Sequence, residues 1–210
     1  MKQTDIIRLP QEALFKAGYG LYLLSARENE RDNACIINTF LQVTSGSPVV
    51  CVITVNKQNF TCEMVRNTKM FNLSVLTEKA PFELYQRFGY QTGRNANKFD
   101  RYESLFSRSE NGLIYLTEHT NAFLSFHVTG TVDFGSHTMF SAEVTESGVM
   151  ADDESVTYSF YQRFVKPTPQ KAKKPGYRCG ICNYFYEGEV LPQGYVCPVC
   201  KHGAEDFIKE

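Results

Sequence analysis

The chain contains no tryptophan and almost no net charge: 22 Lys and Arg face 23 Asp and Glu, leaving −1 over 210 residues. Such a balance excludes a general basic footprint for nucleic acid and a strong electrostatic pull toward membranes. Long apolar runs are also missing. The longest, Pro48 to Val55, falls far short of the roughly 20 residues needed to cross a bilayer. The opening MKQTDIIRLPQEAL is too polar for a signal peptide, so the expected compartment is the cytoplasm. There is no Gly-x-Gly-x-x-Gly dinucleotide fingerprint, no internal repeat and no low-complexity tract. What is present is 42% apolar and 13% aromatic residues, enough for a sizeable core, and the length allows one large domain or one ordinary domain plus a small one.

The seven cysteines are unevenly spread. Cys35, Cys51 and Cys62 fall among strand-like segments and read as buried, inert thiols. Cys179, Cys182, Cys197 and Cys200 crowd the tail, where a cytosolic chain uses them for metal or redox work rather than structural disulfides. Between the two groups lies VKPTPQKAKKPG, with three prolines, four lysines and little to bury. We read it as a solvated linker reaching roughly 35 Å at about 3.1 Å per residue; the alternative is a long loop within one domain. The expected units are a body at 1–164, a linker at 165–176 and a tail at 177–210.

The body patterns mostly as strands: Leu21 and Leu23 before an ENERDN turn, then Ala34–Val43, Val49–Val55, Met70–Leu76 and Leu113–Leu116. In the cleanest alternation, Leu124, Phe126, Val128, Val132 and Phe134 share one face, and Ser125, His127, Thr129, Thr131 and Asp133 the other. Phe140, Ala142 and Val144 repeat the period. Helices are expected at Pro10–Lys16, after a Thr61 cap through Met64 and Val65, and at Pro81–Phe88. Many strands with few helices predict a mainly β fold, an antiparallel barrel.

The tail reads YRCGIC, then YVCPVC. Two Cys-x-x-Cys knuckles place four soft thiolates around one ion, and spacing alone leaves iron and zinc both open. So short a unit takes much of its folding energy from the metal. The stretches YRCGICNYFYEG and GYVCPVCKHGAEDF resemble the two iron loops of rubredoxin, nearest to the shortened domains of rubrerythrin-type proteins. The resemblance implies one iron held by Cys179, Cys182, Cys197 and Cys200. Asn183 stands where glycine is usual and tolerates the left-handed conformation; Tyr195 stands where tryptophan is common.

Residues 33–61 interleave polar side chains with strand-like segments. A phosphate-bearing ring cofactor needs amides, hydroxyls and a cation, yet Ser, Thr and Asn near strand ends are commonly turn formers. Their order adds more. NTFLQVTSGSP followed by NKQNFT resembles the flavin reductase-like family, the FMN-binding Greek-key split β-barrel. FGYQTGRNANKF is similar to that family's phosphate-side loop, GTVDFGSHTMFSAEV to its histidine-bearing hairpin and VTYSFYQRF to its closing strand. The resemblance implies FMN. Asn33, Asn38, Thr39 and Gln42 would lie around the ring and ribityl chain, with Thr44 and Ser45 nearby. Lys57, Asn59 and Thr61 would form a second corner, Thr92, Gly93, Arg94 and Lys98 a loop at the phosphate or ring edge, and His137 a hairpin tip. His119, His127 and His202 read as ordinary surface histidines.

The order of barrel then rubredoxin resembles the high-molecular-weight rubredoxins of anaerobes. That resemblance implies a homodimeric electron-transfer flavoprotein, fed by an NAD(P)H-linked reductase and serving a flavodiiron-type acceptor of oxygen or nitric oxide. Two alternatives stay open: an NAD(P)H:flavin reductase with a structural zinc ribbon, and a non-enzymatic module stabilised by FMN or metal.

Overall fold

A computed structural model describes residues 17–167, 175–182, 184–200 and 202–209. β1 (Tyr22–Glu28) and β2 (Arg31–Ile37) form a hairpin. Its two-residue turn, Asn29–Glu30, has φ of 49° and 63°, the positive values that match the twist of paired strands. β3 (Phe40–Gln42), β4 (Val50–Asn56), β5 (Met70–Leu76), β8 (Thr120–Asp133) and β9 (His137–Val149) complete one antiparallel sheet in the order β2-β1-β5-β8-β9-β4-β3. A separate ribbon pairs β6 (Phe106–Arg108) with β7 (Ile114–Leu116).

Chain order shows why this sheet rolls up. Its two edges, β2 and β3, are consecutive strands separated only by Asn38 and Thr39. In a flat sheet six spacings of about 4.8 Å would part them, some 29 Å, which so short a link cannot span. The sheet therefore closes into a barrel whose last seam is crossed by covalent chain instead of hydrogen bonds. The fold is mainly β, a split barrel as expected.

Side chains alternate across the strands, so adjacent residues serve two cores. Inside, Leu24, Ile53, Phe71, Leu73, Phe126 and Phe140 pack with Met64 and Val65 of α1 (Phe60–Thr68). On the other face of β1 and β2, Leu23 and Ala34 meet Leu84, Tyr85 and Phe88 of α2 (Phe82–Gly89).

Several local expectations are corrected. Ala34–Val43 is not one strand, because it breaks at the Asn38–Thr39 seam. Thr61 does not cap α1: Asn59 holds that position, and Thr61 lies buried inside the helix, bonded to Asn33. Val156–Phe164 is not a strand. Thr157 accepts from the Phe160 N–H, a helical turn follows over Tyr158–Phe160, and a π-turn covers Tyr161–Val165. The alternation in β8 holds at Phe126 and Val128, but Ser125 is buried too, while Val132 and Phe134 stand exposed on a hairpin end beyond the core. A bulge at Ser125/Phe126 and another near Val128 reset the register. The helix expected at Pro10–Lys16 and most of the linker lie outside the described residues.

The tail forms a three-stranded sheet, β11-β10-β12, from Gly176–Cys179 (β10), Phe185–Glu187 (β11) and Phe207–Lys209 (β12). Tyr195 packs against Tyr186 and Phe207.

Candidate functional site

The four tail cysteines converge. All four sulfurs lie within 4.8 Å of one another, and every side chain is buried. Cys179 and Cys200 stand 3.6 Å apart, Cys182 and Cys197 3.5 Å. Four thiolates about 2.3 Å from one ion sit about 3.8 Å apart in a tetrahedron, so this cage fits a metal closely. Burial pushes Cys182 up to about 12 and raises Cys200 as well. At Cys197 burial opposes ionisation, but backbone N–H groups of Cys200 and Val199 outweigh it and lower the thiol. Four buried sulfurs held this close need a cation among them to ionise together. With all four positions taken by sulfur, such a centre moves electrons and offers no open site for substrate.

The second site is a polar cavity of about 420 Å³ at the start of α1. Asn33, Cys35, Asn59, Thr61, Thr92, Gly93 and Lys98 line it, with Asn56, Gln58, Phe60, Tyr90 and Gln91. Its walls are built tightly. Asn33 donates to the Thr61 hydroxyl at 2.9 Å, tying β2 to α1. Gly93 faces Asn33 so closely that an added Cβ would lie 2.0 Å from the Asn33 Oδ1. Lys98 is 3% exposed; its Nζ donates to the Ala34 carbonyl at 2.9 Å and the Phe88 carbonyl at 3.1 Å. A buried cation, amide and hydroxyl groups, and the N-terminus of a nine-residue helix suit a phosphate-bearing ligand. The donor set therefore fits FMN.

The other sequence-predicted residues lie outside this cavity. Lys57 pairs with Asp133. His137 faces Asn56 across the β4–β9 ladder and meets the Ser136 hydroxyl at 2.9 Å. Arg94 pairs with Glu63 at 2.7 Å and lies over the Phe60 ring. Asn38 and Thr39 occupy the seam, bonded to each other at 3.3 Å. Gln42 donates to the Thr44 carbonyl, and Thr44 closes the exposed loop through Pro48 and Val50, with Ser45 on that loop. Gln42 pairs with Cys51 near the start of β4, whereas Asn56 ends it. Five residues of strand, about 17 Å, part the two groups, so only an elongated ligand touches both.

A cavity of about 460 Å³ lies on the other side of Lys98, lined by Arg31, Phe99, Phe106 and Arg108 among others. Arg108 there is spent on Asp32, at 2.7 Å.

Sequence reasoning passed over Gln58, Tyr90 and Gln91, although all three sit inside the stretches that carried the resemblance. It also missed Ile181 and His202, which line the same cavity from the tail. No local pattern announces a contact between stretches so far apart in the chain.

Comparison with known proteins agrees with both halves. Residues 15–168 match the flavin reductase like domain, and residues 177–208 the rubrerythrin, rubredoxin-like domain. The chain is 33% identical to the high molecular weight rubredoxin of Moorella thermoacetica, covering 93% of this chain and 97% of that one. It is 35% identical to a ferric-chelate reductase (NAD(P)H) of Archaeoglobus fulgidus, covering 77% of this chain and 94% of the relative. Among solved structures, the NADH:FAD oxidoreductase SgcE6 of Streptomyces globisporus aligns with a TM-score of 0.63 at 18% identity, covering 76% of this chain and 92% of that one. An FMN-binding protein of Thermus thermophilus aligns at 0.56 and 18%, covering 63% and 71%. The body has the flavin reductase-like fold, which points to FMN, and the tail is a rubredoxin-like domain whose four cysteines bind iron. The chain belongs to the flavin reductase-like family and, with its rubredoxin-like tail, is a homologue of the high molecular weight rubredoxins.

Proposed function

We propose that this chain is an electron-transfer flavoprotein that takes electrons from an NAD(P)H-linked donor and delivers them to a flavodiiron-type acceptor of oxygen or nitric oxide. The observation that carries this reading is the pairing of a closed four-thiolate centre with a polar, cation-bearing cavity in one chain. When bound, the two groups supply conversion of a two-electron donor into one-electron steps. The protein's residues do the holding. Lys98, Thr61 and the start of α1 receive the anionic end of FMN, with Asn33 fixing Thr61. The groups at Gln42–Ser45 and at Lys57 and His137 flank the remainder. Cys179, Cys182, Cys197 and Cys200 bind iron and shut it off from exogenous ligands. The relative whose name carries NAD(P)H supports the choice of donor.

The working units are 1–164, 165–176 and 177–210, in the cytoplasm. The assembly is a homodimer, supported by apolar side chains that one chain leaves uncovered: Leu41 at 62% exposure, Val43 at 55% and Phe134 at 61%. β3, which carries Leu41, is also an edge strand of the sheet.

The test is a spectrum and metal analysis of protein made anaerobically with ample iron, then titration with NADH and NADPH. Bound flavin and one iron per chain, with Cys197→Ser losing the iron band and keeping the flavin, are expected. Stoichiometric zinc, or flavin that washes off freely, would favour the flavin reductase with a structural tail.

A further inference from the structure

The tail does not stand apart from the barrel. Gln86 of α2 donates through Nε2 to the carbonyl of Val199 at 2.8 Å, and Val199 lies in the knuckle between Cys197 and Cys200. Tyr90, just past the end of α2, packs against the four-cysteine cluster. Its hydroxyl meets that of Tyr161 at 2.6 Å, and Tyr161 is held by the π-turn and packed, rings tilted, against Tyr85 at 4.6 Å between ring centroids. The same Tyr90 lines the polar cavity, and from the tail side Ile181 and His202 line it too. One tyrosine thus touches both candidate sites, and its orientation is fixed from below by a second tyrosine anchored in the core.

We propose that the end of α2 is the intramolecular docking site of the rubredoxin-like domain, with Tyr90 as the positioning residue that seats the cysteine cluster at the mouth of the cofactor cavity. This rests on the electron-transfer reading above and adds where, and through which side chains, the two centres are brought together. Tyr90 exchanges no atom and no net electron; it fixes an approach. The contact suits a reversible seat. A tethered domain faces its target at an effective concentration in the millimolar range, so a few contacts keep it populated while leaving it free to depart toward an external acceptor. The knuckle offers a backbone carbonyl to Gln86, so recognition depends on the fold of the metal loop rather than on one side chain of the tail.

The experiment uses the full chain with both cofactors. Small-angle scattering reads how compact the molecule is, and rapid reduction of the flavin reads how fast the iron band bleaches. Gln86→Ala removes one hydrogen bond and is expected to shift the docking equilibrium by about fivefold. Tyr90→Ala also removes the packed ring and is expected to shift it by about tenfold or more. Both variants should broaden the scattering profile toward extended forms and slow bleaching in parallel, with iron content unchanged and the rate read on flavin-saturated protein. Tyr90→Phe keeps the ring but loses the hydroxyl contact to Tyr161, and should restore part of the bleaching rate. The proposal is overturned if Gln86→Ala and Tyr90→Ala leave both the profile and the rate at wild-type values, or if Tyr90→Phe is as slow as Tyr90→Ala. Should Tyr90→Ala fail to fold, Gln86→Ala, on the half-buried side of α2, decides alone. Should the wild-type iron never bleach from reduced flavin, the electron-transfer reading fails, and scattering still judges the docking.

Discussion

Lys98 is a cation kept out of water, and burial lowers its pKa to about 8. The sign of its effect on an anionic ligand follows from linkage. Below that value the flavin-free protein already carries the charge that a phosphate wants. Above it, binding must first draw in a proton. FMN affinity is therefore expected to stay flat from about pH 6 to about pH 8 and then to fall by up to about tenfold per pH unit. Lys98→Gln should bind more weakly and lose that pH dependence; flavin fluorescence quenching across the range checks both. A wild-type curve flat to about pH 9.5 would place the phosphate away from this side chain. The sequence marked Lys98 through the loop around it, but its burial was not legible. Asn97, Lys98 and Phe99 follow no periodic pattern, and the side chain is seated by distant backbone, the Ala34 and Phe88 carbonyls, while Arg87 Nε holds the Lys98 carbonyl at 2.7 Å. Thr61, marked in the same way, lines the same cavity, and it was misread as a cap because a hydroxyl before an apolar run looks the same in either role.

At the scale of elements, α1 links the barrel core to the cavity. Met64 is fully buried among barrel residues, and the helix N-terminus opens on the cavity. Met64→Ala should cost about 2–5 kcal/mol of stability. Urea unfolding followed by far-ultraviolet circular dichroism measures it; a loss under about 0.5 kcal/mol, the range of a surface change, would mean that the helix is not seated as described. Strand β5 matched its sequence reading: it begins just past the Lys69 cap of α1 and ends before the turn at Glu78 and Lys79. The segment after Val156 did not. Its aromatic, β-prone composition suits a strand, but Thr157 caps it as a helix and Tyr161 gains more by packing on Tyr85 than by pairing. Tertiary contact there overrides local propensity.

For the molecule as a whole, the exposed end of the β8–β9 hairpin and the β3 edge are surfaces one copy leaves uncovered. Phe134, 61% exposed, sits where a charge costs a monomer almost nothing but a buried dimer contact a great deal. Phe134→Asp is expected to leave the melting temperature of dilute protein little changed and to convert a dimer into a monomer in sedimentation velocity. A wild-type chain that sediments as a monomer with full flavin would end the dimer proposal. The sequence showed this hairpin as a clean alternation; it held no sign that the apolar face runs on past the core.

The short helix α2 serves more parties than its two turns suggest. Leu84, Tyr85 and Phe88 hold it to the barrel, Arg87 carries the Lys98 loop, Gln86 reaches the tail, and Gly89 and Tyr90 close the cavity. A rigid body that borders two binding events cannot favour one without favouring or penalising the other, and the exchange is symmetric. Whatever factor the seated tail contributes to flavin affinity, bound flavin contributes to the seating of the tail. The body and the tail are then one thermodynamic unit through eight residues of helix.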